Sequence, residues 1–232
     1  GYENAFERRF VREYFPWEGN RLGITDKVYA PFDPVRQQGK TVSVVMREYR
    51  QDGLGLWSSV RARGNDEGSE MRELLAGPIA LHVGDGAMLK GSGEFTSVQP
   101  QAVIYEGRAA HPAVLVETKT TTEYDGVMKV EITLTPPETP VPPLESLYVD
   151  IPVRDELAPL FHVTMTGKIR DNPAGSTPAG TGRVWDSRDL PAPRFHGNFH
   201  PYIWVGAEER GICWFADNDR GWVLNARPEG DR

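Results

Sequence analysis

Cysteine is almost missing from this sequence: Cys213 stands alone among 232 residues. One thiol excludes a disulfide within the chain and leaves no cysteine set for a zinc site. Its setting, Gly-Ile-Cys-Trp-Phe, is an apolar strand-like run in which a thiol packs as a small hydrophobe. Long hydrophobic runs are also lacking, and nothing approaches the roughly 18 consecutive apolar residues of a membrane span. Positive charge is in deficit, with 26 Lys and Arg against 33 Asp and Glu, a net charge of −7. A nucleic-acid partner needs a dense cationic face, so that class is excluded. Neutral sugars, small molecules and other proteins stay open. Gly1-Tyr2-Glu3 carries no basic and apolar leader, and Asn225 to Arg232 reads as a loop. Both ends read as cut, which predicts a fragment of a longer multidomain polypeptide.

The motifs of common chemistries are absent too. There is no Gly-x-Ser-x-Gly elbow, phosphate-binding glycine loop or dinucleotide fingerprint. Asp52-Gly53-Leu54-Gly55-Leu56 follows a strand, but its glycines have the wrong spacing and it reads as a turn. His196 and His200 have helical metal-site spacing, yet Pro193, Gly197 and Pro201 deny them a helix. His82, His111 and His162 sit singly in or beside strand-like runs. Asp217-Asn218-Asp219-Arg220-Gly221 faintly resembles a calcium loop but lacks the other acidic ligands, so a turn is expected. Glycosidic hydrolysis calls on paired carboxylates, or one carboxylate and the substrate's acetamido group. Glu208-Glu209 lies in a hairpin-like loop, not in such a frame. The residues therefore predict no catalytic group, no metal and no cofactor.

What the sequence has is turns and alternation. With 24 Gly and 19 Pro the chain reverses often, which favours many short strands. Val42, Val44 and Met46 share one face of Thr41–Arg50, and Ile79, Leu81 and Val83 one face of Pro78–Val83. Ala102–Tyr105, Ala113–Glu117 and the Thr-rich, solvated-looking Thr118–Tyr124 follow. Asp125-Gly126 is a hairpin signal before Met128, Val130, Ile132 and Leu134, which face together. Leu147–Val153, Phe161–Thr166, Tyr202–Val205, Gly211–Phe215 and Gly221–Leu224 complete the series. A short opening helix is suggested by Phe6, Phe10 and Tyr14, ended by Pro16. Gly64–Glu70 and Asp171–Gly182 read as loops, the latter the best candidate for mobility, and Pro136–Pro143 as a stiff connector between sheets. These features predict an all-β chain with little helix: a large two-sheet antiparallel β-sandwich, supersandwich-like, spanning 1–232 as one domain.

Six tryptophans, Trp17, Trp57, Trp185, Trp204, Trp214 and Trp222, suit either a core or flat platforms for sugar rings. The closing segment has a distinctive pattern. Pro201-Tyr202-Ile203-Trp204-Val205-Gly206 is followed by Glu209-Arg210-Gly211-Ile212-Cys213-Trp214-Phe215-Ala216, then by Asp219-Arg220-Gly221-Trp222. This resembles the N-terminal region of glycoside hydrolase family 123 and related large bacterial proteins. Phe15 to Gly23, the turn at Asp52-Gly53, Gly55-Leu56-Trp57, Glu73 to Pro78 and Gly182 to Trp185 fit the same region. The resemblance implies a β-sandwich preceding a separate (β/α)₈ barrel that acts on β-linked N-acetylgalactosamine. There an Asp-Glu pair and the substrate's acetamido group do the chemistry. That pair belongs to the barrel, so no catalytic residue is carried onto this chain. The implied role is an accessory domain whose partner is the barrel of the same polypeptide; a carbohydrate-binding module is the alternative. Trp57, Trp185, Trp204, Arg210 and Trp222 are the candidates for carbohydrate binding or domain docking. The resemblance also implies a periplasmic or secreted location.

Overall fold

Alternating apolar residues bury one face of a strand and leave the other to water, and this chain solves that problem with antiparallel pairing throughout. The computed structural model describes residues 9–21, 23–66, 68–141, 143–164, 174–185, 200–218 and 220. The first ladder runs in chain order through β1 (Arg36–Gln38), β2 (Thr41–Val44), β3 (Arg47–Asp52), β4 (Leu56–Ala62) and β5 (Arg72–Glu73). β6 (Ala80–Val83) and β7 (Ala87–Met88) begin a second. A third is a meander of β8 (Ser92–Val98), β9 (Ala102–His111), β10 (Val114–Glu123) and β11 (Met128–Thr135). The proline-rich stretch after β11 then crosses to β12 (Leu147–Asp150), which pairs with β6. A 3-10 turn at Asp155–Leu157 leads to β13 (Leu160–Thr164), β14 (Ala174–Ser176), β15 (Tyr202–Gly206) and β16 (Gly211–Phe215). These form a fourth ladder in the order β14-β13-β15-β16. The all-β antiparallel sandwich expected from alternation is thus distributed over four ladders.

The core shows how they stack. Val42, Val44, Tyr49, Trp57 and Val60 of the first ladder pack with Val103 of β9, and with the partly buried Phe95, Met128 and Val130 beside it. Leu81 and Val83 of β6 pack with Ala109, Val114 and Val116 at the other end of the meander. The inner face of β8–β11 is therefore one layer, and the first two ladders side by side make the opposing one. Ile212 of β16 closes on the first cluster from the flank.

At the centre of this interface the side chains are small and polar. Thr118, Thr120 and Thr122 are 4, 0 and 0% exposed, so the run expected to be solvated has one face buried. The reason lies in the β3–β4 turn, which is driven between the layers. Thr118 Oγ1 donates to the Leu54 carbonyl, and Thr120 Oγ1 to the Gly55 carbonyl at 3.0 Å. Gln51 Nε2 donates to that same carbonyl at 3.1 Å, and the Tyr105 hydroxyl to the Gly53 carbonyl at 3.2 Å. A backbone turn carries carbonyls that cannot be buried bare, and Thr118 and Thr120 supply donors to them. Gly55 adopts φ +81°, and a Cβ there would lie 2.7 Å from a Tyr105 ring carbon. A Cβ on Gly107, paired across β10 with Thr118, would come within 2.6 Å of the Leu54 carbonyl.

Other expectations change in detail. The alternation from Val42 to Met46 is interrupted because the chain reverses at Val45-Met46. Met46 takes φ 59°, uncommon outside glycine, and its carbonyl accepts from Arg63 N–H at 2.9 Å. The Asp171–Gly182 stretch contributes β14 from its described part. No helix forms at 9–15: Phe10 and Tyr14 are 91 and 72% exposed, so that apolar stripe packs on nothing. Phe6 and the expected strand Gly221–Leu224 lie outside the described residues.

A contact at the rim ties the layers a second time. Tyr49 donates to the Gly126 carbonyl at 3.1 Å, and Arg47 Nη1 to the Asp125 carbonyl at 2.8 Å. Burial pushes the Tyr49 phenol up to about 12. The neutral phenol is the form the fold favours. Its stabilisation is complete below the unfolded value near 10 and is lost as pH rises toward 12, about 2–3 kcal/mol in all. Urea unfolding on either side of that window, with ultraviolet titration of the phenol, is expected to show this loss in the wild type but not in Tyr49→Phe. Gly107→Ala is expected to cost about 1–3 kcal/mol in the same measurement, because a backbone carbonyl must move.

Candidate functional site

The β15–β16 hairpin, home of the distinctive closing pattern, presents two different faces. Register places Tyr202 opposite Phe215, Trp204 opposite Cys213 and Gly206 opposite Gly211 on one side. Ile203, Val205, Ile212 and Trp214 are on the other. On β13, His162 pairs with Trp204 and joins its side. The Ile212 and Trp214 side turns inward, where Ile212 meets the core. The opposite side is an aromatic outer face. Tyr202 and Trp204 are half-buried and Phe215 is 51% exposed. The rings of His162 and Tyr202 meet edge to face at 5.9 Å.

Two glycines set the Trp204 ring. A Cβ on Gly206 would lie 2.4 Å from Trp204 Cζ2, and one on Gly211 would lie 2.6 Å from its Nε1. The indole therefore lies flat over a bare backbone pair, a position any side chain beneath would forbid. Beside it, burial raises the Cys213 thiol, partly offset by a hydrogen bond with Tyr202, which favours the protonated sulfur. Cys213 is half-buried instead of fully enclosed.

Arg210, at the end of the hairpin turn, is buried to 9% exposure and works as a clamp. Its Nε donates to the Ala62 carbonyl at 3.2 Å, Nη1 to Glu209 Oε2 at 3.1 Å, and Nη2 to Ser69 Oγ and to the Glu70 carbonyl at 3.4 Å. A planar fork of donors suits a site with several carbonyls to satisfy. The turn is thereby fastened to the segment after β4. Glu208 and Glu209 occupy the turn itself, as their sequence context predicts.

The five candidate residues do not form one site. Trp57 is in the core at 5% exposure and Trp204 is on the outer face. Arg210 is committed to the clamp. Trp185 is 39% exposed and tilted at 43° against His200, with ring centres 5.7 Å apart. Trp222 and His196 lie outside the described residues. What sequence reasoning missed is that Tyr202, His162 and Phe215 join Trp204. The alternation within β15 and β16 carried part of that signal, but the pairing with β13 needed the fold. Among the described residues, no group of three or more His, Cys, Asp or Glu is gathered for a metal ion. Two large grooves among the described residues are open and polar. One, of about 810 Å³, lies on the solvated face of β8–β11 between Glu94, Glu106, Arg108 and Glu117. Arg108 and Glu117 pair there at 2.9 Å.

Fold and site together define an antiparallel β-sandwich domain whose most distinctive residues fasten and face a terminal hairpin. Residues 35–220 match the family model described as glycoside hydrolase 123, third domain. The chain belongs to that family. The match names a third domain, a more specific place than the N-terminal region the resemblance implied, and a third domain has sister domains in the same polypeptide. No curated protein and no solved structure matches the chain at a significant level.

Replacing Arg210 by Met is expected to lower stability by about 1–3 kcal/mol, since a buried guanidinium and the several part-buried or exposed acceptors it serves lose their hydrogen bonds. Hydrogen exchange is expected to quicken across 62–70, and Arg210→Lys to restore only part of the protection.

Proposed function

We propose that this chain is a non-catalytic accessory domain of a glycoside hydrolase, acting as one unit over 1–232 and packing beside a catalytic barrel of the same polypeptide. The observation that carries the reading is the use made of the family-like closing pattern. Arg210 is spent on carbonyls of its own fold, and Gly206 and Gly211 on seating Trp204. Residues so occupied build a scaffold.

Two surface carboxylates, Asp52 and Glu156, fit the same reading. A glycosidic general acid needs its pKa raised toward neutrality. Asp52 is instead held below its ordinary value, chiefly by its hydrogen bond with Lys40 and then by the Gly53 N–H. Glu156 is likewise lowered, by a backbone hydrogen bond and then by Arg154. Both favour the ionised form, the reverse of an acid catalyst.

A second reading, carbohydrate binding, rests on the outer aromatic face. Tyr202, Trp204 and Phe215 offer ring faces to the C–H side of a sugar, and the glycine pair fixes Trp204 in advance.

The isolated chain is expected to leave aryl β-N-acetylgalactosaminide and a panel of other aryl glycosides intact, and robust turnover would defeat the accessory role. For the second reading, calorimetry against diverse glycans decides. Binding lost in Trp204→Ala and Tyr202→Ala would establish it, and silence in the wild type would remove it.

A further inference from the structure

The family match and the hydrophobic core begin at the same place. Val35 opens the matched span, 35–220, and is the first core residue in chain order among those described. What stands before it is a different kind of chain. Residues 9–34 form no strand or helix among the described residues. Yet six large apolar side chains between 10 and 24 stand in water: Phe10, Val11, Tyr14, Phe15, Trp17 and Ile24. Val11, Trp17 and Ile24 are 94, 66 and 69% exposed. Apolar residues scattered singly over a surface need no explanation, but a run of this density does.

The segment has a shape of its own. The Phe15 and Trp17 rings stack at 5.1 Å with 5° between their planes. Glu18 N–H donates to the Phe15 carbonyl at 2.9 Å, and Asn20 Nδ2 to the Trp17 carbonyl at 2.7 Å. Gly19 lies in this turn at φ 71°. The Arg12 guanidinium lies 4.5 Å from the centre of the Tyr14 ring and pairs with Glu18 at 3.1 Å. All these contacts lie within the segment. Its tie to the sandwich comes later, where Phe32 meets Tyr124 edge to face at 5.4 Å and Val35 N–H donates to the Pro100 carbonyl at 2.8 Å. An aromatic hook is thus shaped by its own residues, fastened to the sandwich at its base and left with its rings in solvent.

We propose that residues 10–24 are a docking arm that seats in an apolar groove on a sister domain of the same polypeptide, the one reached from the N-terminal side of this sandwich. The inference rests on the reading that the chain packs against a partner domain, and it names the part that does so. A third domain is counted after others, and the arm lies on the side of the matched span that leads toward them. Glu18 and the Tyr14 ring already answer Arg12, so the hook presents rings more than charge, which suits an apolar groove. A turn and a ring stack set in advance lose little freedom on seating. A second copy would bring its own net charge of −7 to the contact, whereas a domain on the same polypeptide competes at an effective concentration on the order of millimolar. Anionic lipid headgroups would likewise repel a chain of that charge.

The test uses the full-length polypeptide. Hydroxyl-radical footprinting is expected to oxidise Phe10, Tyr14 and Trp17 several-fold more slowly there than in this chain alone. With a protease site inserted within residues 1–8 and cut after folding, the sandwich is expected to co-elute with the preceding piece on gel filtration. Phe10→Ser combined with Trp17→Ser, both at exposed positions, is expected to weaken that association about tenfold or more while leaving the domain's melting temperature within a few degrees. Separation of the wild-type pieces, with the three rings oxidised equally fast in both contexts, would defeat the docking reading and the arm with it. Co-elution of the wild-type pieces that the double variant leaves unchanged would overturn the arm alone, with docking assigned to another surface. Protection of the rings in this chain by itself, through self-association or on anionic vesicles, would also overturn the arm.

Discussion

The sandwich depends on a backbone turn seated where side chains ordinarily meet. Leu54 and Gly55 carry their carbonyls into the dry space between the layers, and Thr118, Thr120, Gln51 and Tyr105 answer them or their neighbours. The opposing strands are adapted to the intrusion. Gly107 removes a side chain where the turn comes closest, and Thr118 and Thr120 give a β-branched, strand-favouring shape with a donor at its tip. Apolar clusters gather on either side of the turn, one around Tyr49, Trp57 and Val103, the other around Leu81, Val83 and Val116. The turn separates them, and its polar network gives the two layers a single register.

The class of fold was legible because it rests on local signals. Asp125-Gly126 forms the β10–β11 turn with Gly126 at φ 91°, and Glu208-Glu209 occupy the β15–β16 turn. Alternation in β6 and β11 identified their inward faces. The errors arose where a tertiary partner decided the outcome. Thr118–Tyr124 looks solvated by composition, and only the inserted turn explains why it is buried. Val45-Met46 has no turn chemistry of its own. It reverses because the carbonyl of Met46 meets Arg63 and the next residues are drawn to the Asp125-Gly126 turn. The helix suggested by Phe6, Phe10 and Tyr14 required a surface to pack on, and the sequence could not say that none would be offered to Phe10 and Tyr14.

The candidate site was legible in one strand and illegible between strands. Trp204 and Arg210 stood out by residue type, yet Arg210 takes its role from the remote Ala62, Ser69 and Glu70, while Trp204 is seated by the nearby Gly206 and Gly211 and gains His162 as a cross-strand neighbour. In the described part of the closing pattern several residues serve the fold: Arg210 fastens a turn, Gly206 and Gly211 seat the Trp204 ring, and Ile212 packs against the core. A family can thus be recognisable in a domain through its architecture.

The pair of contacts from Arg47 and Tyr49 to the Asp125-Gly126 turn has a mechanical meaning. Together with the threonine bonds at the centre, it fastens opposite leaves of the sandwich at two separated points. Sliding one leaf along a strand by a single residue displaces atoms by about 3.4 Å, enough to break every one of those bonds at once. The sandwich therefore resists shear as a rigid plate, and a load applied at one margin is carried across to the other.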